Sequence, residues 1–456
     1  MMTRGATYSS SSFGVRSVLH ASFALGSLAL LPTLSACDGD AQLFTGGSGG
    51  AATTNPTTSA GGTGGSAGST GGTSPAGGGG MGGMAGAPPT WPQACSDLYD
   101  QDLLPTFELT FSPTDLSGLQ GDCQSGSQNY RPATLTYGSE TVDVMVRLKG
   151  NWSWDCGKMQ FVVSFNEIDP NARFHGLRKM VFDAPWYDRT FLHERVAFPF
   201  FKKRGLPYSC VNNAKIMLNG QYLGVYANLE RLDKEYLQRN FEEADGNLYQ
   251  GGVELKTNED IGDTSDLAAL QAAGTVAELE QLIDMNQAMS EWASEAMLPA
   301  MDNYWAGVEI NYYLYHHPSR GFLYLPYDMD IAFGDPAYPD GSLIWPDALY
   351  SDPILYEHPG WKKEDLMKKV LSDPKWCDAF VAELTLAREA YSPSEMSAQI
   401  DTWSSQIAAA VSQDTHKQFS TQAHQQAVND LKAFFSARAA VVDQWLAQGN
   451  HCPASF

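Results

Sequence analysis

The sequence predicts an α+β fold, with a strand-rich N-terminal lobe and a helical C-terminal lobe. Three observations predict it. Segments between residues 105 and 229 alternate apolar and polar side chains, the period of a half-buried strand. Asn219-Gly220 sits between two such segments, a strong short hairpin signal. After about residue 265 the apolar spacing becomes helical. Strands followed by helices suit segregated layers, and a cleft between lobes is where a site is expected.

The elements follow in order. Residues 105–111 (PTFELTF) and 133–149 read as strands, the second range turning at Gly138-Ser139. Residues 159–165 (MQFVVSF) and 178–183 (RKMVFD) read as two more. Residues 190–203 suit a helix, with Pro199 as a kink or end and Gly205 as a stop. Residues 211–218 and 222–229 form the hairpin, and 233–241 read as a helix. Further helices are expected at 275–285, 288–317, 362–372, 378–391, 394–412 and 420–448. In the last, Val428, Leu431, Phe434, Phe435, Ala439, Val442 and Leu446 make one apolar face.

The N-terminal 90 residues have a different character. Arg4 and Arg16 are the only charges before Cys37, and residues 17–34 are apolar. Leu34-Ser35-Ala36-Cys37 then completes the anatomy of an export signal. It resembles the bacterial lipobox, in which the cysteine becomes the lipidated first residue. Cys37 is therefore expected to carry lipid after loss of residues 1–36, with an ordinary signal peptide as the alternative. His20 and Pro32 break the apolar run, which argues against a retained span. Residues 41–90 carry no charge and hold 18 of the 43 glycines. Such a segment cannot bury a core and is expected to be a flexible linker reaching roughly 40 Å. It contains G-x-S-x-G around Ser48 and Ser66, but the hydrolase motif needs a strand before and a helix after. Residues 37–90 thus read as anchor and linker, and 91–456 as the folded domain, exported and tethered to a membrane at the cell envelope or surface.

The net charge of −23 argues against nucleic acid and against adhesion to anionic lipid. Clustered acids suit divalent cations. Besides Cys37 there are six cysteines, an even number without C-x-x-C, which in an exported chain suggests disulfides rather than zinc. Cys377–Cys452 is the one pairing expected, tying the C-terminal helices.

Four clusters carry candidate chemistry. Arg147-Leu148-Lys149-Gly150-Asn151-Trp152-Ser153 and then Lys158 place basic groups beside glycine, as a phosphate cradle does; a solvated turn reads the same. Asp188 precedes the 190–203 helix as a cap, with Glu194 inside it. Asn219 to Tyr226 runs into Glu230 and Asp233, two acids on one helix face that suit a metal, a base or merely an acidic first turn. Last come Asn311, in a tyrosine-rich helix, and Tyr327-Asp328-Met329-Asp330-Ile331-Ala332-Phe333-Gly334. Asp328 and Asp330 lie on one side of an extended segment, after the strand-like run 321–325. An asparagine oxygen and one or two carboxylates are what Mg²⁺ takes. An Asp-rich turn has the same composition.

In this order, the clusters resemble the CotH kinase family. Its pattern is R-x-[KR]-G-x-x-S, a lysine, D-x-[ST], N-G-x-Y-x-G-x-Y with E-x-x-D, and [WY]-D-x-D-x-x-F-G. The resemblance covers about residues 135–335; the helical part 336–456 shows no usable motif. It implies a divergent protein-kinase-like fold that transfers the ATP γ-phosphate to Ser or Thr of an exported protein. Asp328 would hold Mg²⁺ or Mn²⁺ with Asp330 beside it, and Asn311 would be the second ligand. Lys149 or Lys158, with Arg147, would meet phosphates, oriented by Glu194. Asp233 is similar to a family aspartate acting as base or metal ligand, with Glu230 next to it. The chain lacks H-R-D-x-x-x-x-N, and Tyr327 replaces the more usual tryptophan. Two rival expectations are a kinase-like surface adhesion module without turnover and an extracellular polymer hydrolase. Against the hydrolase, the folded part contains neither H-E-x-x-H nor G-x-S-x-G.

Overall fold

The computed structural model describes residues 91–150, 153–308, 310–334, 336–337, 341–358, 365–453 and 456. The expected export signal, Cys37 and the glycine-rich linker lie outside the described residues, as do Asn151 and Trp152.

The N-terminal part contains β1 (Thr106–Thr110), α1 (Pro113–Ser125), β2 (Arg131–Tyr137), β3 (Glu140–Lys149), β4 (Gln160–Ser164), β5 (Lys179–Asp183), α2 (His193–Lys203), β6 (Val211–Leu218) and β7 (Gln221–Leu229). The expected strands are all present, but the lobe they build differs from expectation. The seven strands close into a barrel in the order β1-β2-β3-β4-β5-β7-β6, not a clear kinase-type lobe. Closure comes from β1 pairing parallel to β6, Thr106 opposite Lys215 and Leu109 opposite Leu218. Closing the sheet removes its free edges. Alternation alone could not show this, because a parallel partner about 110 residues away leaves no local trace.

Turn chemistry fixes the register. Asn219 and Gly220 adopt φ values of 46° and 78°, the positive angles a tight hairpin turn requires. Asn219 also accepts from the Phe111 N–H at 2.8 Å and donates to its carbonyl at 2.9 Å, pinning the hairpin to the end of β1. Helix α1 was not anticipated, although its signals are ordinary. The Ser112 hydroxyl accepts from the Asp115 N–H at 3.1 Å, and Pro113 opens the helix. Pro199 does not end α2, which runs through it to Lys203.

The C-terminal part contains α3 (Lys234–Asn240), β8 (Asn247–Gln250), β9 (Glu254–Leu255), α4 (Ser265–Ala272), α5 (Val276–Leu282), α6 (Met285–Met297), β10 (Tyr312–His317), β11 (Gly321–Pro326), α7 (Asp365–Leu371), α8 (Pro374–Ala390), α9 (Pro393–Gln413) and α10 (Thr421–Leu446). A second sheet, in the order β11-β10-β8-β9, lies within it. This corrects the single helix expected over 288–317. Helix α6 stops at Met297, before Pro299, and the tyrosines of 312–315 belong to β10. Tyrosine fits a pleated, half-buried surface, and that preference prevailed over the weak helical spacing. Asn311 therefore stands just before a strand and not inside a helix.

One hydrophobic core runs from Leu98 in the barrel part to Val442 in α10. Three disulfides brace it: Cys95–Cys210, Cys123–Cys156 and the expected Cys377–Cys452. Among the described residues no helix is long and apolar enough to cross a membrane.

Candidate functional site

The site is built where several elements end. Lys149 is the last residue of β3 and Asp183 the last of β5. They form a buried ion pair. Glu194 lies in the first turn of α2, and Asp328 and Asp330 follow β11. Asp302 and Asn311 lie on the connection between α6 and β10.

Helix α2 is tied to the D-x-D segment. The Asp188 carboxylate accepts from the Thr190 N–H at 2.7 Å and from the His193 N–H at 2.9 Å. It thus fills a helix-start donor, as the sequence indicated. His193 Nδ1 donates to the Asp330 carbonyl at 2.7 Å. A carbonyl only accepts, so Nδ1 carries the proton.

A second set of bonds places Asp302. Asn311 Nδ2 donates to Asp302 Oδ2 at 2.6 Å. Asn303 Nδ2 donates to the carbonyls of Asn311 at 2.6 Å and Tyr327 at 2.9 Å. This staples the Asp302 loop to the residue before Asp328. Asp328 itself holds a left-handed backbone, φ 53°. Such angles are uncommon for non-glycine residues and concentrate at functional sites.

The electrostatics follow from too many acids for too few bases. Burial, then the charge of Asp328, then that of Asp183, push the Glu194 pKa well above the carboxylate range, with Lys149 pulling the other way. Burial and Asp328 do the same to Asp302, opposed by the Asn311 hydrogen bond. Asp330 is raised by burial, then by Asp328, Asp302, Asp183 and Glu194. Glu194 Oε1 and Asp302 Oδ1 are buried without a hydrogen-bond partner. Buried polar atoms are usually paired, and these two have no partner within the protein.

A divalent cation fits the donor set in one specific sense. Among the described residues no three acidic, histidine or cysteine side chains group tightly enough to enclose a metal by themselves. Magnesium seldom uses such a cage; one or two carboxylates, water and phosphate oxygens suffice. The hard oxygens of Asp328, Asp330 and Asn311 match that need, and a cation there would favour the ionised forms of Glu194 and Asp302, which burial and the nearby acids disfavour.

The other expected site residues have partners elsewhere. Arg147 Nη1 donates to Gln128 Oε1 at 2.8 Å and to the Leu148 carbonyl at 3.0 Å. Lys158 lies apart from the Asp328 group: its ammonium is paired with Asp414 at 2.6 Å, and both side chains are buried. Glu230 is held by Arg239 at 2.6 and 2.8 Å and accepts from the Cys210 N–H at 2.9 Å, which leaves it a structural ion pair. Asp233 caps α3, accepting from the Glu235 and Tyr236 N–H groups. Burial, then Glu235, raise its pKa to about 7. The other charges acting on it are Arg231 and Arg178, not the Asp328 group. The structure thus brings together Lys149, Glu194, Asn311, Asp328 and Asp330, and leaves Arg147, Lys158, Glu230 and Asp233 outside that group. Sequence reasoning missed Asp183 and Asp302. Asp302-Asn303 was hidden by the helix assigned over 288–317.

The profile of the CotH kinase protein family matches residues 146–442. The chain belongs to that family. Lys149, Glu194, Asp302, Asn311 and Asp328 all fall within the matched span. So does the C-terminal part as far as α10, so the CotH domain extends well past the last recognisable motif. Over 150 residues the chain is 27% identical to inner spore coat protein H of Bacillus subtilis (strain 168); the match covers 33% of this chain and 40% of that protein. Among solved structures, a Helicobacter pylori proinflammatory kinase, CtkA, aligns with 11% identity and a TM-score of 0.31, over 70% of this chain and 93% of that one.

Proposed function

We propose that this CotH-family domain transfers the γ-phosphate of ATP to a Ser or Thr hydroxyl of an exported protein, with Mg²⁺ or Mn²⁺. One observation carries the reading: the charges of Asp183 and Asp328 act on Glu194 and Asp330, and that of Asp328 on Asp302, beside the buried Lys149–Asp183 pair, with two carboxylate oxygens unpartnered. Membership of a kinase family supports it.

The roles follow from position. Lys149, oriented by Asp183 and the nearby Glu194, meets the phosphates. Asp328 and Asp330 would hold the cation, with Asn311 as a further ligand. When bound, the cation neutralises charge on the transferring phosphate. Asp302 would be the general base, ionised once a bound cation offsets the charge of Asp328. Its Oδ2 is fixed by Asn311, and its bare Oδ1 takes the proton of the acceptor hydroxyl. The hydroxyl oxygen bonds to the γ-phosphorus, the bridging bond to ADP breaks, and the proton stays on Asp302. Arg147, Lys158, Glu230 and Asp233 support the site through the partners named above.

Export and anchoring through Cys37 extend the proposal. They rest on the N-terminal sequence, and a relative named for a spore coat is in keeping with an exposed location. The test is ³²P incorporation from labelled ATP with Mg²⁺, comparing the protein with Asp302→Asn. Cation-dependent labelling that falls about 10²–10⁴-fold in the variant supports the base assignment. No labelling by the unaltered protein removes phosphotransfer and leaves a kinase-like surface binding module.

A further inference from the structure

Helices α9 and α10 follow the last sequence motif, and their connection reaches back to the barrel. Asp414, directly after α9, is completely buried. Its Oδ2 takes the Lys158 ammonium at 2.6 Å and the Val225 N–H of β7 at 3.0 Å. Its Oδ1 takes the N–H groups of His416 at 2.9 Å and Lys417 at 3.0 Å. Lys158 in turn lies over the rings of Phe191, 4.9 Å away, and Tyr226, 5.1 Å away.

Gly224 makes the approach possible. Its φ is 140°, and a Cβ there would overlap the Asp414 carboxylate. Gly224 sits opposite Ile216, beside the β6–β7 register shift. Bulges of this kind re-aim backbone groups next to sites. Two more contacts fix the same connection to the segment between β3 and β4. His416 Nδ1 bonds the Gly157 carbonyl at 2.8 Å, and Gln418 bonds Asp155. On the other side, His424 Nδ1 bonds the Arg189 carbonyl at 2.9 Å, in the turn that leads to α2 and Glu194.

A buried ion pair brings little net stability, and its best-attested use is to fix one arrangement among several. This one joins residues 256 apart. We infer that Asp414 is a positioning residue of the nucleotide site: through Lys158 and Val225 it holds the segment before β4, and with it the end of β3 that carries Lys149. The inference rests on the nucleotide-binding reading above. It gives the C-terminal helices a role in the site.

The experiment pairs hydrogen exchange on the ligand-free protein with ATP kinetics, for Asp414→Asn and Lys158→Met. Lys158→Met leaves the Asp414 carboxylate three backbone donors but no counter-ion, which is strongly destabilising. Lys158→Arg, which keeps the charge and changes only the geometry of the pair, is the variant read if the other two do not fold. Exchange over residues 153–160 should rise at least tenfold, with β1 and β2 unchanged. KM for Mg-ATP should rise about tenfold while kcat changes less than threefold. Unchanged exchange at 153–160 overturns the inference. So does a uniform loss of protection with an unchanged KM, which would mark Asp414 as a general stabiliser. If the unaltered protein turns over no ATP, the nucleotide reading fails by itself, and exchange at 153–160 still decides whether Asp414 pins the segment.

Discussion

Asn311 Nδ2 donates a 2.6 Å hydrogen bond to Asp302 Oδ2, leaving Oδ1 as the bare edge of that carboxylate. The bond also lowers the Asp302 pKa against the larger upward push of burial and Asp328. Asn311→Leu removes the donor and strands a buried acceptor, at a cost of about 1–3 kcal/mol. Urea unfolding should show that loss, and phosphate transfer should fall with it. Transfer at the original rate would remove Asp302 from the chemistry.

Lys149 and Asp183 form a buried pair inside an acidic surround. Lys149→Met leaves Asp183 without its counter-ion. Breaking such a pair typically costs about 3–5 kcal/mol. The urea midpoint should drop accordingly, and nucleotide protection against heat should vanish. A drop below about 1 kcal/mol would mean that Lys149 does not neutralise this cluster.

His175 forms a pH-sensitive clasp on the barrel exterior. Its Nδ1 bonds Asp97 at 2.8 Å and its Nε2 bonds Glu140, at the start of β3, at 3.1 Å, while the Tyr137 ring meets it edge-on. Only the imidazolium donates from both nitrogens. Burial pulls its pKa down, but the hydrogen bonds and charges of Asp97 and Glu140 outweigh that, and the net shift is upward. A raised folded pKa stabilises fully below the ordinary histidine value near 6.5, and the gain disappears as pH rises through the folded value. The melting temperature should therefore decline over that window, and the decline should be shallower in His175→Gln. Equal slopes would contradict the clasp.

Cys377 in α8 and Cys452 beyond α10 are joined across 75 residues. Replacing both by alanine should cost about 2–4 kcal/mol, read by denaturant unfolding. An unchanged midpoint would mean that the helices hold the C-terminal end without the bond.

Much of this site was legible in sequence, for reasons that differ by residue. Lys149, Glu194, Asp328 and Asp330 are legible through the resemblance to the CotH pattern, since their own segments read equally as turns and caps. Asp302 is not, because the apolar spacing across Met297 to Tyr312 mimics a helix and the stapling of this loop by Asn303 depends on Tyr327. Lys158 looked like a phosphate ligand because its partner, Asp414, is remote in sequence. Barrel closure was hidden for the same reason, since the β1–β6 pairing has no local signature. Glu230 and Asp233 have the residue types of a metal pair, yet their roles are set by Arg239 and by the start of α3.

The most direct test of the account is a thermal-shift titration of the disulfide-intact protein with ATP, with and without Mg²⁺ or Mn²⁺, beside Asp328→Ala. A ligand that binds only the folded state must raise the melting temperature. The rise should require the divalent cation and be lost in Asp328→Ala. No rise at millimolar Mg-ATP, or an equal rise in Asp328→Ala, would contradict it.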